Sequence, residues 1–197
     1  IYSIIDTTTT GQRIKKEVVE YTDKLPKEGI NYETIDNVTF AELKQKVQNL
    51  PKNSAILHHM FFRSKDNKFY DYHESTQMIS DHSKAPLYTT ADMYLGHGSI
   101  GGYLNSGLFQ GKEASLMAMD ILKGKSTKDI PAKYKSPNKY MFDYEKILKY
   151  NINSKLLPKE SYIINKPNNF YEIYKNEIRV VAILFLLMFV LIFILLK

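Results

Sequence analysis

Tyr32-Glu-Thr-Ile-Asp-Asn-Val-Thr39-Phe-Ala-Glu42-Leu-Lys-Gln-Lys-Val47-Gln-Asn-Leu50-Pro-Lys-Asn-Ser-Ala55-Ile-Leu-His-His59 holds a strand, a helix and a second strand in immediate succession. Tyr32 to Ile35 reads as a strand, being aromatic and β-branched. Thr39 followed by Glu42 is a capping box, in which each side chain answers a free backbone amide at a helix start. Phe40, Leu43, Val47 and Leu50 then recur at helical spacing on one face. Pro51-Lys-Asn-Ser breaks the helix, and Ala55-Ile-Leu57 opens a strand that runs into His58-His59.

The same alternation extends outward in both directions. Upstream, Ile1-Tyr-Ser-Ile-Ile5 is a strand ending at Asp6 and a threonine cluster. It precedes a helix carrying Ile14, Val18, Tyr21 and Leu25, closed by Pro26 and Gly29. Downstream, Asp71 with Glu74 caps a short helix through Met78 and Ile79, and Pro86 to Thr90 is a fourth strand. Gly96 to Gly107 reads as a glycine-rich loop, Gly111 to Leu122 as a helix, Tyr140-Met-Phe142 as a last strand and Glu145 to Tyr150 as a final short helix. Strands alternating with helices predict an α/β fold: a Rossmann-like, mostly parallel sheet flanked by helices. Right-handed crossovers gather the loops that follow the strands along one edge, where such sheets bind ligands.

Val180 to Leu196 is a different kind of segment, with no charged or polar side chain and apolar residues on every face. Its length approaches the ~20 residues that cross a bilayer core, so it predicts one transmembrane helix. Phe170, Tyr171 and Tyr174 fit an interfacial aromatic belt before it. The expected organisation is therefore a soluble part over 1–166, a juxtamembrane linker over 167–179 and a membrane helix over 180–196. Lys175 and Arg179 precede this helix. By the positive-inside rule alone they would place the soluble part in the cytoplasm. Ile1 falls inside a strand-like run, so the chain is expected to be a fragment or a processed product.

Composition narrows the chemistry. The net charge is +6, but the lysines are scattered with no run of five or six like charges, so no nucleic-acid partner is expected. The absence of cysteine excludes disulfides and thiolate chemistry. Among the five histidines, His58, His59, His73, His82 and His97, none pair at i, i+4 with a supporting acid, and no metal site is expected. Gly96-His-Gly98-Ser-Ile-Gly101 matches G-x-G-x-x-G in letters only. Ala91 to Leu95 separate it from the preceding strand, and Gly102, Asn105 and Gly107 resist the helix a dinucleotide site requires. Gly107 to Lys112 is one residue short of a phosphate loop. Asp6 and Asp92 could form an acid pair, yet nothing else supports hydrolysis. No cofactor and no enzymatic activity are expected. What remains lies at the strand ends: Asp6, Thr7 and Thr8 before a helix N-terminus, then Phe61 and Arg63, then Asp92, Tyr94 and His97. Aromatic walls with a few directed polar groups describe a small-molecule cleft.

Three segments carry a family resemblance: Phe61-Phe-Arg63-Ser-Lys-Asp66, Asp92-Met-Tyr-Leu-Gly96-His-Gly-Ser-Ile-Gly-Gly102 and Tyr140-Met-Phe-Asp-Tyr144. They resemble ABC-transporter substrate-binding-like sensory domains, type I periplasmic-binding folds at the extracytoplasmic end of bacterial sensor proteins. Ile147 to Pro158 and Ile163-Ile-Asn-Lys-Pro167 are similar to the end of such domains. The resemblance implies one lobe plus the return crossing of a two-lobed protein, with the other lobe upstream and an output domain downstream. It also implies an extracytoplasmic soluble part, a small organic solute held between lobes and a possible homodimer through the full-length sensor. Asp92, Arg63 and the Thr7–Thr8 turn would orient the solute, with Phe61 and Tyr94 against its apolar part. Ala91 stands where the resemblance implies an aromatic residue. Two other readings compete: a substrate-binding component of an ABC importer, and a membrane-tethered nucleotide-dependent enzyme using Gly96 to Gly101.

Overall fold

The computed structural model of the chain describes residues 1–26, 29–167 and 170–196, with the side chains of 170–173 outside the description. Two compact units divide it, Ile1–Asn165 and Lys166–Lys197.

In the first unit the elements run β1 (Tyr2–Ile4), α1 (Thr9–Asp23), β2 (Glu33–Ile35), α2 (Phe40–Gln48), β3 (Ile56–His58), α3 (Tyr72–His82) and β4 (Leu87–Thr89). They continue with β5 (Gly101–Leu104), α4 (Gly107–Leu122), β6 (Lys139–Asp143), α5 (Tyr144–Lys149) and β7 (Tyr162–Ile164). The described strands form one sheet in the order β2-β1-β3-β4-β5-β6-β7. All neighbours pair parallel except β5 with β6, so the expected α/β architecture is present, with β6 and β7 reversed as a return crossing.

The capping box at Thr39 forms as read, the Thr39 hydroxyl accepting from the Glu42 amide at 3.2 Å and the Glu42 carboxylate from the Thr39 amide at 2.7 Å. Leu43 and Val47 of the amphipathic face are fully buried with Ile4, Ile56, Ile79 and Leu87 in the main core. Two smaller clusters, around Leu104 with Met141 and around Phe142 with Ile147, cover the β5–β7 end.

Three boundaries differ from the sequence reading. The glycine-rich loop contains β5, and α4 begins at Gly107 rather than Gly111. Glycine is depleted in strands, which hid β5. The reason for it is close approach: at Gly101, with φ +121°, a Cβ would lie 2.0 Å from the Met141 carbonyl oxygen on β6. β6 is also not the last strand, since β7 pairs alongside it in parallel.

In the second unit, α6 runs Phe170–Leu195, with non-helical backbone at Tyr174 (φ −110°, ψ 19°). From Tyr174 to Leu195 it is long and apolar enough to cross a membrane by length and composition, and its apolar side chains are exposed. The expected aromatic belt falls partly on Phe170 and Tyr171, whose side chains lie outside the described residues.

Candidate binding edge

The strand order marks the candidate site. From β1 the chain moves outward to β2, then returns past β1 to β3. At such a switch point the two connections leave on opposite sides, opening a crevice beyond the carboxyl ends of β1 and β3.

Asp6 fastens the two ends together. It is fully buried. Its Oδ1 accepts from the Thr8 amide at 3.0 Å and the Thr8 hydroxyl at 2.5 Å, while Oδ2 accepts from the Phe62 amide at 2.9 Å. Gly11 makes this possible, because a Cβ there would lie 2.3 Å from Asp6 Oδ1. The Thr7 amide and hydroxyl donate to the Arg63 carbonyl at 3.4 and 3.3 Å, adding a second tie. Thr8 caps α1 by accepting from the Gly11 amide at 3.0 Å.

The expected contact residues therefore divide in two. Asp6, Phe61 and Tyr94 are turned inward. Phe61 is 1% exposed and packs with Phe40 and Tyr70, so its ring belongs to the core. Tyr94 is 2% exposed and donates its hydroxyl hydrogen to the His59 carbonyl at 3.1 Å. Burial, and then the Asp6 charge, push the Tyr94 phenol well above its usual pKa. Thr7, Thr8, Arg63, Asp92 and His97 remain partly open to solvent. The Arg63 guanidinium lies over the Phe69 ring at 4.4 Å, its Nε is buried without a partner, and no described carboxylate forms an ion pair with it. Asp92 opens the 3₁₀ turn Asp92–Tyr94, and its carboxylate accepts no hydrogen bond from a described residue. One cation and one anion thus stand uncommitted on this edge.

Sequence reasoning missed the rings behind them. His58 meets Tyr94 edge-on at 4.7 Å, and His73 meets His97 at 3.8 Å. Adjacent histidines on a strand were legible, but a contact between the start of α3 and the loop after β4 leaves no local signal. Burial holds His59 and His97 below the ordinary histidine pKa and takes His58 down to about 3. Among the described residues no cluster of three or more metal-ligating side chains occurs. A separate open groove of about 1080 Å³ lies away from this edge, between α4 and the β5–β6 pair, beside Tyr103, Phe109 and Tyr140.

A sequence profile of ABC transporter substrate binding proteins matches residues 4–157, more than three quarters of the chain. The chain belongs to the ABC transporter substrate binding protein family. Proteins of this family typically bind a small molecule and are non-catalytic. A solved structure with the same fold is the ligand-free, open form of a substrate binding protein with adhesive properties from Clostridium difficile. It has TM-score 0.59 at 15% identity, covering 84% of this chain and 54% of that one. A conserved domain protein from Vibrio cholerae O1 biovar El Tor matches at TM-score 0.48 and 14% identity, over 82% of this chain and 53% of that one. This substrate-binding family member thus spans about half the length of the solved chains it matches. No curated protein sequence matches it.

Proposed function

We propose that this chain supplies one wall of an extracytoplasmic solute-binding cleft, held at a membrane by α6, as a substrate-binding component of an ABC importer. The observation that carries this reading is the pair of uncommitted charges, Arg63 and Asp92, at the carboxyl edge of a parallel sheet in a chain of this family. Thr7, Thr8 and His97 stand on the same edge. Asp6, Phe61 and Tyr94 act behind them as positioning residues.

A second lobe would complete the cleft. The support is α4, in which no residue is buried and Leu108 and Leu122 are 75% and 80% exposed. Leu116, Met119 and Ile121 are exposed on it as well, so between its charged residues α4 presents an apolar surface that a second lobe could cover. Solute binding would then shift a population between open and closed lobes.

The sensor reading keeps one favourable observation: an apolar helix, α6, follows the binding unit directly and could carry a closure signal across a membrane. Reconstitution with candidate partners separates the two. Solute-dependent stimulation of a transporter's ATP hydrolysis supports the importer reading. Solute-dependent output from a cytoplasmic domain, with no transport, supports the sensor.

A further inference from the structure

Five rings form a continuous chain of contacts where β3 and β4 end. His58 on β3 meets Tyr94 at 4.7 Å and 87°, and Tyr94 meets Tyr72 at 6.4 Å and 77°. Tyr72 touches His73 at 3.8 Å and His97 at 5.9 Å, and the His73 and His97 rings lie 3.8 Å apart. Three of the chain's five histidines are members, and a fourth, His59, accepts the Tyr94 hydroxyl hydrogen at its carbonyl. The rings come from three elements: β3, the first turn of α3 and the 92–97 segment. Ring contacts, together with the Tyr94–His59 hydrogen bond, join that segment to the other two.

We propose that this ring chain is an acid-sensitive latch on the candidate binding edge. With neutral imidazoles it clamps residues 92–97 against β3 and α3, and proton uptake releases that segment together with the Asp92 carboxylate. As regulation of the proposed site, the idea rests on the solute-binding reading.

The geometry gives the direction. His58 is fully buried and both of its ring nitrogens lack a hydrogen-bond partner, as does Nε2 of His59. A proton on His58 would place an unpaired charge among apolar and aromatic neighbours. The charged and titratable groups around the cluster do little to relieve it. From β1, the Asp6 carboxylate acts on Tyr94 but is already saturated by three hydrogen bonds. Just after β3, His59 adds positive charge beside His58 as it protonates. From α3, Asp71 bonds His73 Nδ1 at 2.9 Å, at the solvent rim and away from His58. Asp92 belongs to the released segment itself.

The folded state holds His58 at about 3, against an ordinary value of 6.5, because burial disfavours the cation. The open state therefore takes up the proton first. The clamp is full above about pH 7 and weakens as pH falls through about 6 towards 3. At pH 5, His58 alone favours the open state about 30-fold relative to neutral pH.

Amide hydrogen exchange on the full chain in detergent micelles tests this at about pH 7.5 and about pH 5, corrected for intrinsic rates. Protection of residues 92–97 is expected to fall at least about tenfold at the lower pH. His58→Phe, which keeps a ring and cannot be protonated, is expected to abolish that fall. A second variant, His97→Gln, changes a part-exposed ring that burial holds below the ordinary histidine pKa, and is expected to blunt the fall even if His58→Phe folds poorly. Equal protection at both pH values, or an undiminished fall in both variants, would overturn the latch. The readout needs no solute and so stands apart from the binding reading.

Discussion

The Asp6 carboxylate accepts the amide hydrogen of Phe62 at 2.9 Å, joining residues 56 positions apart and fixing the spacing between the ends of β1 and β3. Because its other oxygen is occupied by Thr8, Asp6 builds the crevice rather than facing into it. Asp6→Ala leaves the part-buried Phe62 and Thr8 donors unanswered, and the folded state is expected to lose about 2–4 kcal/mol in chemical denaturation. A loss below about 1 kcal/mol would show that the two strand ends hold their spacing without it.

Two glycines in helices make opposite demands. Gly11→Ala puts a Cβ 2.3 Å from Asp6 Oδ1 and 2.6 Å from its carbonyl oxygen. It should destabilise by about 2 kcal/mol or more despite alanine's better helix propensity. Gly111→Ala meets nothing within 4 Å, within α4. It should stabilise by about 0.5–1 kcal/mol. Thermal midpoints of the two variants would separate close packing from propensity.

Much of this was legible in the sequence. The β1 to β4 region reads directly because apolar periodicity, capping residues and prolines all agree there, as at Thr39, Glu42 and Pro51. β5 was not legible, since Gly101 allows close backbone approach to Met141 on β6 and Gly102 to Thr89 on β4, and neither carries strand propensity. At the candidate site, residue type located the strand ends but not the direction of each side chain. Asp6, Phe61 and Tyr94 occupy strand ends and face inward, because the core and the loop amides compete for them. Tyr72 and His73 join the cluster through tertiary packing, which no spacing rule contains.

A membrane role for α6 makes its own demand. Leu187 lies in the middle of the apolar stretch and is 59% exposed. Leu187→Arg should cost about 2.5–3.5 kcal/mol on insertion. The expected result is a marked drop in the fraction of chain that resists alkaline extraction from membranes. Unchanged extraction would argue that α6 does not span the bilayer.

Arg63 and Asp92 are part-exposed and form no ion pair with a described residue, so Arg63→Ala and Asp92→Ala should each change stability by less than about 1 kcal/mol. Loss of a charge-assisted contact should nevertheless weaken solute binding by about 1.5–3 kcal/mol, roughly 10- to 150-fold. A fall in stability matching the fall in affinity would mark both residues as structural.

The most direct measurement is a thermal-shift screen of small organic solutes against the whole natural protein containing this chain, followed by titration of any hit in both variants. At least one solute is expected to raise the midpoint, with affinity reduced at least about tenfold in Arg63→Ala and in Asp92→Ala at unchanged fold stability. A solute that binds equally well to both variants would contradict the placement of the site on this edge.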